Sequence, residues 1–106
     1  MSRTVAELTD QVNAFVAARL WRRFHNPKTL VLALMGEVGE VAELFQWQTA
    51  AEAAAIADDP VARAEAADEL ADVAIYLLRL ADELQVDLAE AVLAKLERNE
   101  ERFPAS

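Results

Sequence analysis

Glycine and proline, the residues that most often mark turns, are scarce in this sequence. The 106 residues contain only two glycines and three prolines. A sandwich or barrel built from many short strands needs far more turns than these few residues can supply. The chain also shows no internal repeat, linker or low-complexity tail. We therefore predict an all-α fold in a single domain that spans residues 1–106.

Helix-capping residues and apolar periodicity divide the chain into four long predicted helices. These run from Thr4 to about Phe24, from Asn26 to about Trp47, from near Pro60 to Leu84, and from Asp87 to just before Pro104. Residues 48–59 are rich in alanine and acids, so they are compatible with either a short extra helix or a mobile loop. The short connections between the last helices favour antiparallel neighbours, as in a four-helix-bundle-type protomer.

The chain is strongly acidic, with 19 Asp and Glu residues against 10 Lys and Arg residues and a formal charge of −9. Binding to DNA or RNA polymers depends on a basic surface, which this chain lacks. The N-terminus reaches Glu7 before any apolar run begins, which argues against a secretory signal, and the absence of cysteine fits a reducing compartment. We expect a cytoplasmic protein that does not bind nucleic acid polymers.

Part of the second predicted helix is apolar on nearly every side and carries acids at three-residue spacing. The segment reads LVLALMGEVGEVAELFQW, and its polar side chains are Glu37, Glu40, Glu43 and Gln46. A helix that is hydrophobic almost all round is typically buried. Three carboxylates within one such segment would be very costly in lipid, so we do not expect a membrane span. The glutamates are therefore predicted to lie in or beside a protein interior, where they need a partner.

A second acidic pair lies in the third predicted helix. Glu69 and Asp72 are three residues apart and project from adjacent turns of one face, with Tyr76 four residues further on. If the two apolar helices pack antiparallel, these carboxylates can converge with Glu37 and Glu40. Four carboxylates cannot all stay ionised in a low dielectric, so the cluster must protonate, admit water or bind cations. Oxygen ligands without histidine or cysteine favour Mg²⁺ or Mn²⁺.

The spacing of these acids resembles the signature of a known family. Glu37-Val38-Gly39-Glu40 is followed, after 28 residues, by Glu69-Leu70-Ala71-Asp72. This pattern is similar to the ExxE and ExxD pairs of the all-α nucleotide pyrophosphohydrolases of the MazG-like superfamily. A longer match, from Trp21 to Pro104, resembles the dCTP pyrophosphatase branch, in the FHNP, GEVGEVAELFQW and ELADVAIYLL segments above all.

The resemblance implies hydrolysis of a nucleoside triphosphate, dCTP or a modified dCTP, to the monophosphate and pyrophosphate. It implies that the catalytic Mg²⁺ ligands are Glu37, Glu40, Glu69 and Asp72. The nucleotide contacts that it implies are Trp21, Arg22, Arg23, Phe24, His25, Trp47 and Tyr76, with phosphate or inter-subunit contacts from Lys95, Asn99 and Arg102. The family forms dimers or tetramers, and an apolar content of 55%, above the roughly 45–50% of typical soluble proteins, suits a subunit interface.

One position departs from the pattern of the dCTP branch. Nine residues before Trp21, where the eukaryotic members carry a histidine that contacts the nucleotide, this chain has Val12. Because valine offers no side-chain hydrogen bond, the same chemistry on another nucleotide such as dUTP stays open.

Two other classes of protein also carry acidic pairs on helices. A non-catalytic helical interaction module would use the carboxylates only as a solvated face. A di-iron carboxylate bundle would need Glu-x-x-His pairs, and no histidine stands three residues after a glutamate in this chain. The interaction module is therefore the main alternative to an enzyme.

Overall fold

The computed structural model describes residues 3–105, and within this range it contains helices and turns but no strand. The prediction of an all-α fold is confirmed. The predicted domain and the N-terminal segment argued above begin two residues earlier, outside the described residues, as does Ser106. The α-helices are α1 (Val5–Ala18), α2 (Pro27–Phe45), α3 (Ala50–Ala55), α4 (Pro60–Glu83) and α5 (Leu88–Arg102), with 3₁₀ segments at Trp21–Phe24 and Ile56–Asp58.

Side-chain caps explain where the four long helices begin. In each case an oxygen of the residue before the helix accepts a hydrogen bond from a backbone N–H of the first turn, which has no partner inside the helix. The caps are Thr4, Asn26, Asp59 and Asp87. The helix starts predicted at Thr4, Asn26 and Asp87 are therefore confirmed.

The first helix is shorter than predicted. It ends at Ala18 instead of continuing to Phe24, because Leu20 adopts a left-handed backbone with φ of 59°. An α-helix does not continue through a left-handed residue. The chain then forms a separate 3₁₀ turn, so that Trp21 to His25 link α1 to α2 as a segment of their own.

Residues 48–59, for which the sequence left a short helix and a loop as alternatives, contain the short helix α3. Thr49 caps α3, and its backbone N–H donates in return to the carboxylate of Glu52, which completes a capping box. The 3₁₀ turn Ile56–Asp58 follows and leads directly to the cap of α4.

The helices pack around α4. It packs extensively against α2 and also against α1, whereas α5 packs extensively against no other helix of the described chain. Within residues 3–105 the buried apolar side chains are Val16, Leu30, Leu78 and Ala81. Every helix in residues 3–105 is too short or too polar to cross a membrane.

The predicted burial of the second helix is wrong for a single chain. Only Leu30 of α2 is buried, and Leu32 and Met35 are 62% and 64% exposed. The reason is geometric, because α4 covers one side of α2 and no other helix in the described residues packs extensively on the opposite side.

Candidate functional site

The packing of α2 on α4 brings two pairs of carboxylates together. Glu37 and Glu40 come from α2, and Glu69 and Asp72 come from α4. One carboxylate oxygen of each residue lies within 4.8 Å of the others. Residues three apart lie on one face of a helix, so the packing of two such faces is sufficient to form this carboxylate cluster.

The carboxylate cluster has a half-buried side and an exposed side. Glu37 and Glu69 are half-buried, whereas Glu40 and Asp72 are exposed. The Oε2 atoms of Glu37 and Glu69 are buried, and no hydrogen bond reaches them from the part of the chain that the structure describes. A buried acceptor without a donor is costly, and an ionised one more so. The carboxylate cluster could therefore bind a metal ion at this position.

The proximity of the four carboxylates raises the pKa of two of them. Burial, followed by a hydrogen bond with Glu40 and the charges of Glu40 and Asp72, raises the pKa of Glu37. A hydrogen bond with Glu40, followed by burial and the charges of the other three carboxylates, raises the pKa of Glu69. Without a cation the folded protein therefore keeps protons on these two carboxylates to a higher pH than the unfolded chain does, and a divalent ion that bound here would displace them.

The donor set fits a hard divalent cation. All four groups offer carboxylate oxygen, the chain has no cysteine, and its single histidine, His25, is hydrogen-bonded to Arg79 instead. Oxygen donors of this kind suit Mg²⁺ or Mn²⁺, ions that usually keep positions open for water and phosphate.

The other residues expected at the site lie on three different segments of the chain. Tyr76 is half-buried on α4, one turn beyond Asp72. Trp47 lies in the turn after α2 and is 88% exposed, so it has no wall of protein behind it. Trp21, Arg22, Arg23, Phe24 and His25 lie together in the segment between α1 and α2.

The predicted contacts on the last helix are not brought to the carboxylate cluster within one chain. Lys95, Asn99 and Arg102 all lie on α5. Within the described residues α5 does not pack extensively on α2 or α4. Their predicted contacts with phosphate or with another subunit therefore stay a prediction.

One buried charged residue was not anticipated from the sequence. Arg79 on α4 is 1% exposed and joins α1 to the segment before α2. Its Nε donates to His25 Nδ1 at 3.1 Å, and its Nη1 donates to Asn13 Oδ1 at 2.6 Å. Asp82 and Glu83 accept from the same guanidinium at 3.2 and 2.9 Å. The available signal was a lone arginine within an apolar run, three residues after Tyr76.

Comparisons with known proteins find relatives that share most of this chain. Residues 33–106, which include all four carboxylates, match the model of the MazG-like family. The chain is 52% identical to human dCTP pyrophosphatase 1 over 91 residues, which cover 86% of this chain and 54% of the relative. It is 51% identical to the Rattus norvegicus protein of that name over 90 residues, 85% of this chain and 53% of the relative.

A solved structure shares the whole fold. The crystal structure of a pyrophosphatase from Archaeoglobus fulgidus matches with a TM-score of 0.87 and 35% identity, over 99% of this chain and 96% of that one. The chain spans about half the length of the curated relatives it matches. The match to the family model, together with this likeness in fold, shows that the chain belongs to the MazG-like family.

Proposed function

We propose that this protein is a divalent-metal-dependent pyrophosphohydrolase that converts a nucleoside triphosphate to the monophosphate and pyrophosphate. The carboxylate cluster carries the proposal, because two of its oxygens are buried and receive no hydrogen bond from residues 3–105. The identity to proteins named dCTP pyrophosphatase 1 makes dCTP the first candidate substrate.

The proposed chemistry is attack by water on the α-phosphorus. Glu37, Glu40, Glu69 and Asp72 would hold Mg²⁺ or Mn²⁺, and the ion would supply positive charge to neutralise the triphosphate and the departing pyrophosphate. Glu40, an exposed member of the cluster, takes the proton from the attacking water. A new bond forms from the water oxygen to the α-phosphorus, and the bond to the oxygen that bridges the α and β phosphates breaks.

The remaining residues of the site would bind the nucleotide. Trp21 and Trp47 supply aromatic surfaces for the base, and the phenol of Tyr76 donates to a phosphate or sugar oxygen. The acidity of the protein does not oppose this role, because bound cations reverse the local charge that the phosphates meet.

The exposed surface supports assembly into a dimer or tetramer. A compact monomer of 11.7 kDa is expected to expose about 5,900 Å². The chain exposes 8272 Å², an excess of roughly 2,400 Å² for each protomer. If both partners of a dimer buried this excess, the interface would bury about 4,800 Å² in total, within the roughly 2,000–5,000 Å² of obligate interfaces. The uncovered apolar side chains of α2 and α5 are the natural source of this interface, and a second copy would complete the predicted bundle.

The proposed reaction is tested by a panel of nucleotides. Pyrophosphate release is measured with Mg²⁺ and dCTP, 5-methyl-dCTP, dTTP, dUTP and the four ribonucleotides. We expect turnover of dCTP or 5-methyl-dCTP with the highest kcat/KM. Equal turnover of dTTP and dUTP would remove the preference for dCTP but keep the reaction class. Absence of pyrophosphate release from every nucleotide would favour the helical interaction module.

The raised pKa values of Glu37 and Glu69 predict how metal binding depends on pH. The unfolded chain releases these protons near the ordinary value of 4.5, whereas the folded chain retains them to higher pH. The folded protein without metal therefore loses stability as the pH rises from 4.5 through the raised values. Because Mg²⁺ displaces these protons, we expect its stabilising effect on Tm to be larger at pH 8 than at pH 5.

Thermal unfolding with and without Mg²⁺, at constant ionic strength, measures this dependence. Glu43→Gln is a matched control, because Glu43 is an exposed glutamate of α2 that does not belong to the carboxylate cluster. This variant should keep the full effect of Mg²⁺. An effect of Mg²⁺ that is the same at both pH values, or absent, would contradict the proposed metal site.

A further inference from the structure

We propose that Arg79 is a positioning residue that clamps the Trp21–His25 segment and fixes His25 as a hydrogen-bond donor at its Nε2 atom for nucleotide binding. The inference rests on the proposed function, because that segment is where the nucleotide is expected to bind. The observation behind this inference does not involve the carboxylate cluster. It is the guanidinium of Arg79, which is 1% exposed and makes hydrogen bonds to three parts of the chain.

The Arg79 guanidinium donates hydrogen bonds in three directions. Toward the segment before α2, Arg79 Nε donates to His25 Nδ1 at 3.1 Å. Toward α1, Nη1 donates to Asn13 Oδ1 at 2.6 Å. On α4 itself, Asp82 and Glu83 accept from the guanidinium and balance its charge. A planar fork held at all three of its nitrogens has a fixed orientation, and it transmits that orientation to His25.

Stability alone does not explain a buried arginine at this position. An apolar side chain of similar volume often stabilises a protein as well as a buried ion pair does. What an apolar side chain cannot do is donate a directed N–H to a histidine nitrogen. The property specific to Arg79 is therefore the state and orientation of His25.

The hydrogen bond decides which tautomer His25 adopts. Arginine always donates, so His25 Nδ1 must accept, and the single proton of the neutral ring must then lie on Nε2. Burial, then the charge of Arg79, lowers the pKa of His25, while the charge of Glu83 acts in the opposite direction. The groups of α4 and α1 in this network are Arg79, Asp82, Glu83 and Asn13. At neutral pH the ring is an uncharged donor.

The position of Arg79 on α4 connects this clamp to the carboxylate cluster. Arg79 is seven residues after Asp72 and three after Tyr76, which places all three on one side of the helix. The helix rise separates Arg79 from Asp72 by about 10 Å along the axis. A rigid helix thus sets the distance between the metal-binding carboxylates and the segment that would hold the nucleotide.

The experiment combines kinetics with NMR of the histidine ring. We expect Arg79→Met to raise KM for the nucleotide about tenfold with little change in kcat, because a binding segment is released and the carboxylates are untouched. Arg79→Lys should behave similarly, since lysine keeps the charge but lacks the fork. Arg63→Met, which removes an exposed arginine of the same helix, is the control and should leave both constants unchanged.

His25 is the only histidine, so its ring nitrogens can be observed without assignment. The wild-type protein should show the proton on Nε2, and Arg79→Met should show mixed tautomers and a pKa nearer 6.5. A wild-type ring protonated at Nδ1 would overturn the clamp, even if neither variant folds. An unchanged KM in a folded Arg79→Met protein would overturn the positioning role alone. Absence of turnover in the wild-type protein would overturn the proposed function, and the positioning role with it.

Discussion

Replacing Asp72 by asparagine is expected to reduce metal-dependent pyrophosphate release by about a thousandfold or more, while the protein without metal keeps its fold. The loss follows because an amide cannot supply the negative charge that holds a divalent cation against a triphosphate. Glu40→Gln should have an effect of the same order, since it removes a ligand and the proposed proton acceptor together.

The stability of these variants should move in the opposite direction to their activity. The charges of Glu40 and Asp72 raise the pKa of both Glu37 and Glu69, so the cluster without metal is held together against repulsion. Removing one charge relieves that repulsion. We therefore expect Tm without metal at pH 8 to stay equal or rise, and the increase in Tm on adding Mg²⁺ to disappear.

Steady-state pyrophosphate release, helical CD and thermal unfolding together test this prediction. Glu43→Gln removes a carboxylate from the same helix outside the cluster, and it should retain activity, helicity and the response to Mg²⁺. Substantial turnover by Asp72→Asn would rule out the carboxylate cluster as the metal site. A large fall in Tm without metal would show that the carboxylates serve the fold instead.

The helix starts were predictable because their causes are local. A cap needs one oxygen and a backbone N–H two or three residues away, and Asn26 and Asp87 both provide this. The end of α1 was not predictable in the same way. Leu20 takes a left-handed backbone that leucine rarely adopts, beside an edge-to-face contact of Phe15 with Trp21 that the spacing does not reveal.

The residues of the candidate site also differ in whether local sequence or distant contacts determine their positions. The carboxylate pairs could be recognised because three-residue spacing on an apolar helix fixes their direction before any tertiary contact forms. The hydrogen bonds of Arg79 could not be recognised from the sequence, because its partners His25 and Asn13 lie 54 and 66 residues away in the chain. Trp47 illustrates a further limit, because nothing in its position in the sequence predicted that its side chain is 88% exposed in the single chain.

A double substitution on α5, Leu93→Glu with Leu96→Glu, is expected to convert the assembled protein to monomers. These leucines are 60% and 53% exposed on a helix that packs extensively against nothing else in the described chain. Burying each at an interface would contribute about 1.5–3 kcal/mol. Losing both, and placing two unpaired carboxylates there, should weaken association by a thousandfold or more.

Light scattering after gel filtration tests this result, with 11.7 kDa as the mass of the single chain. Ala94→Glu is the control, because Ala94 shares a helix face with the acidic residues Glu90 and Glu97, and it should leave the assembly intact. A wild-type protein that is already monomeric, or a double variant that stays assembled, would contradict the proposed interface.

The same variant separates the two roles of α5. If Lys95, Asn99 and Arg102 contact the nucleotide held by another subunit, the monomeric variant must lose nucleotide affinity although its own four carboxylates are intact. Its Tm should still respond to Mg²⁺ alone, because the carboxylate cluster is formed entirely by α2 and α4 of one chain. A monomer with normal KM would show that α5 serves assembly only and that one chain contains the complete site.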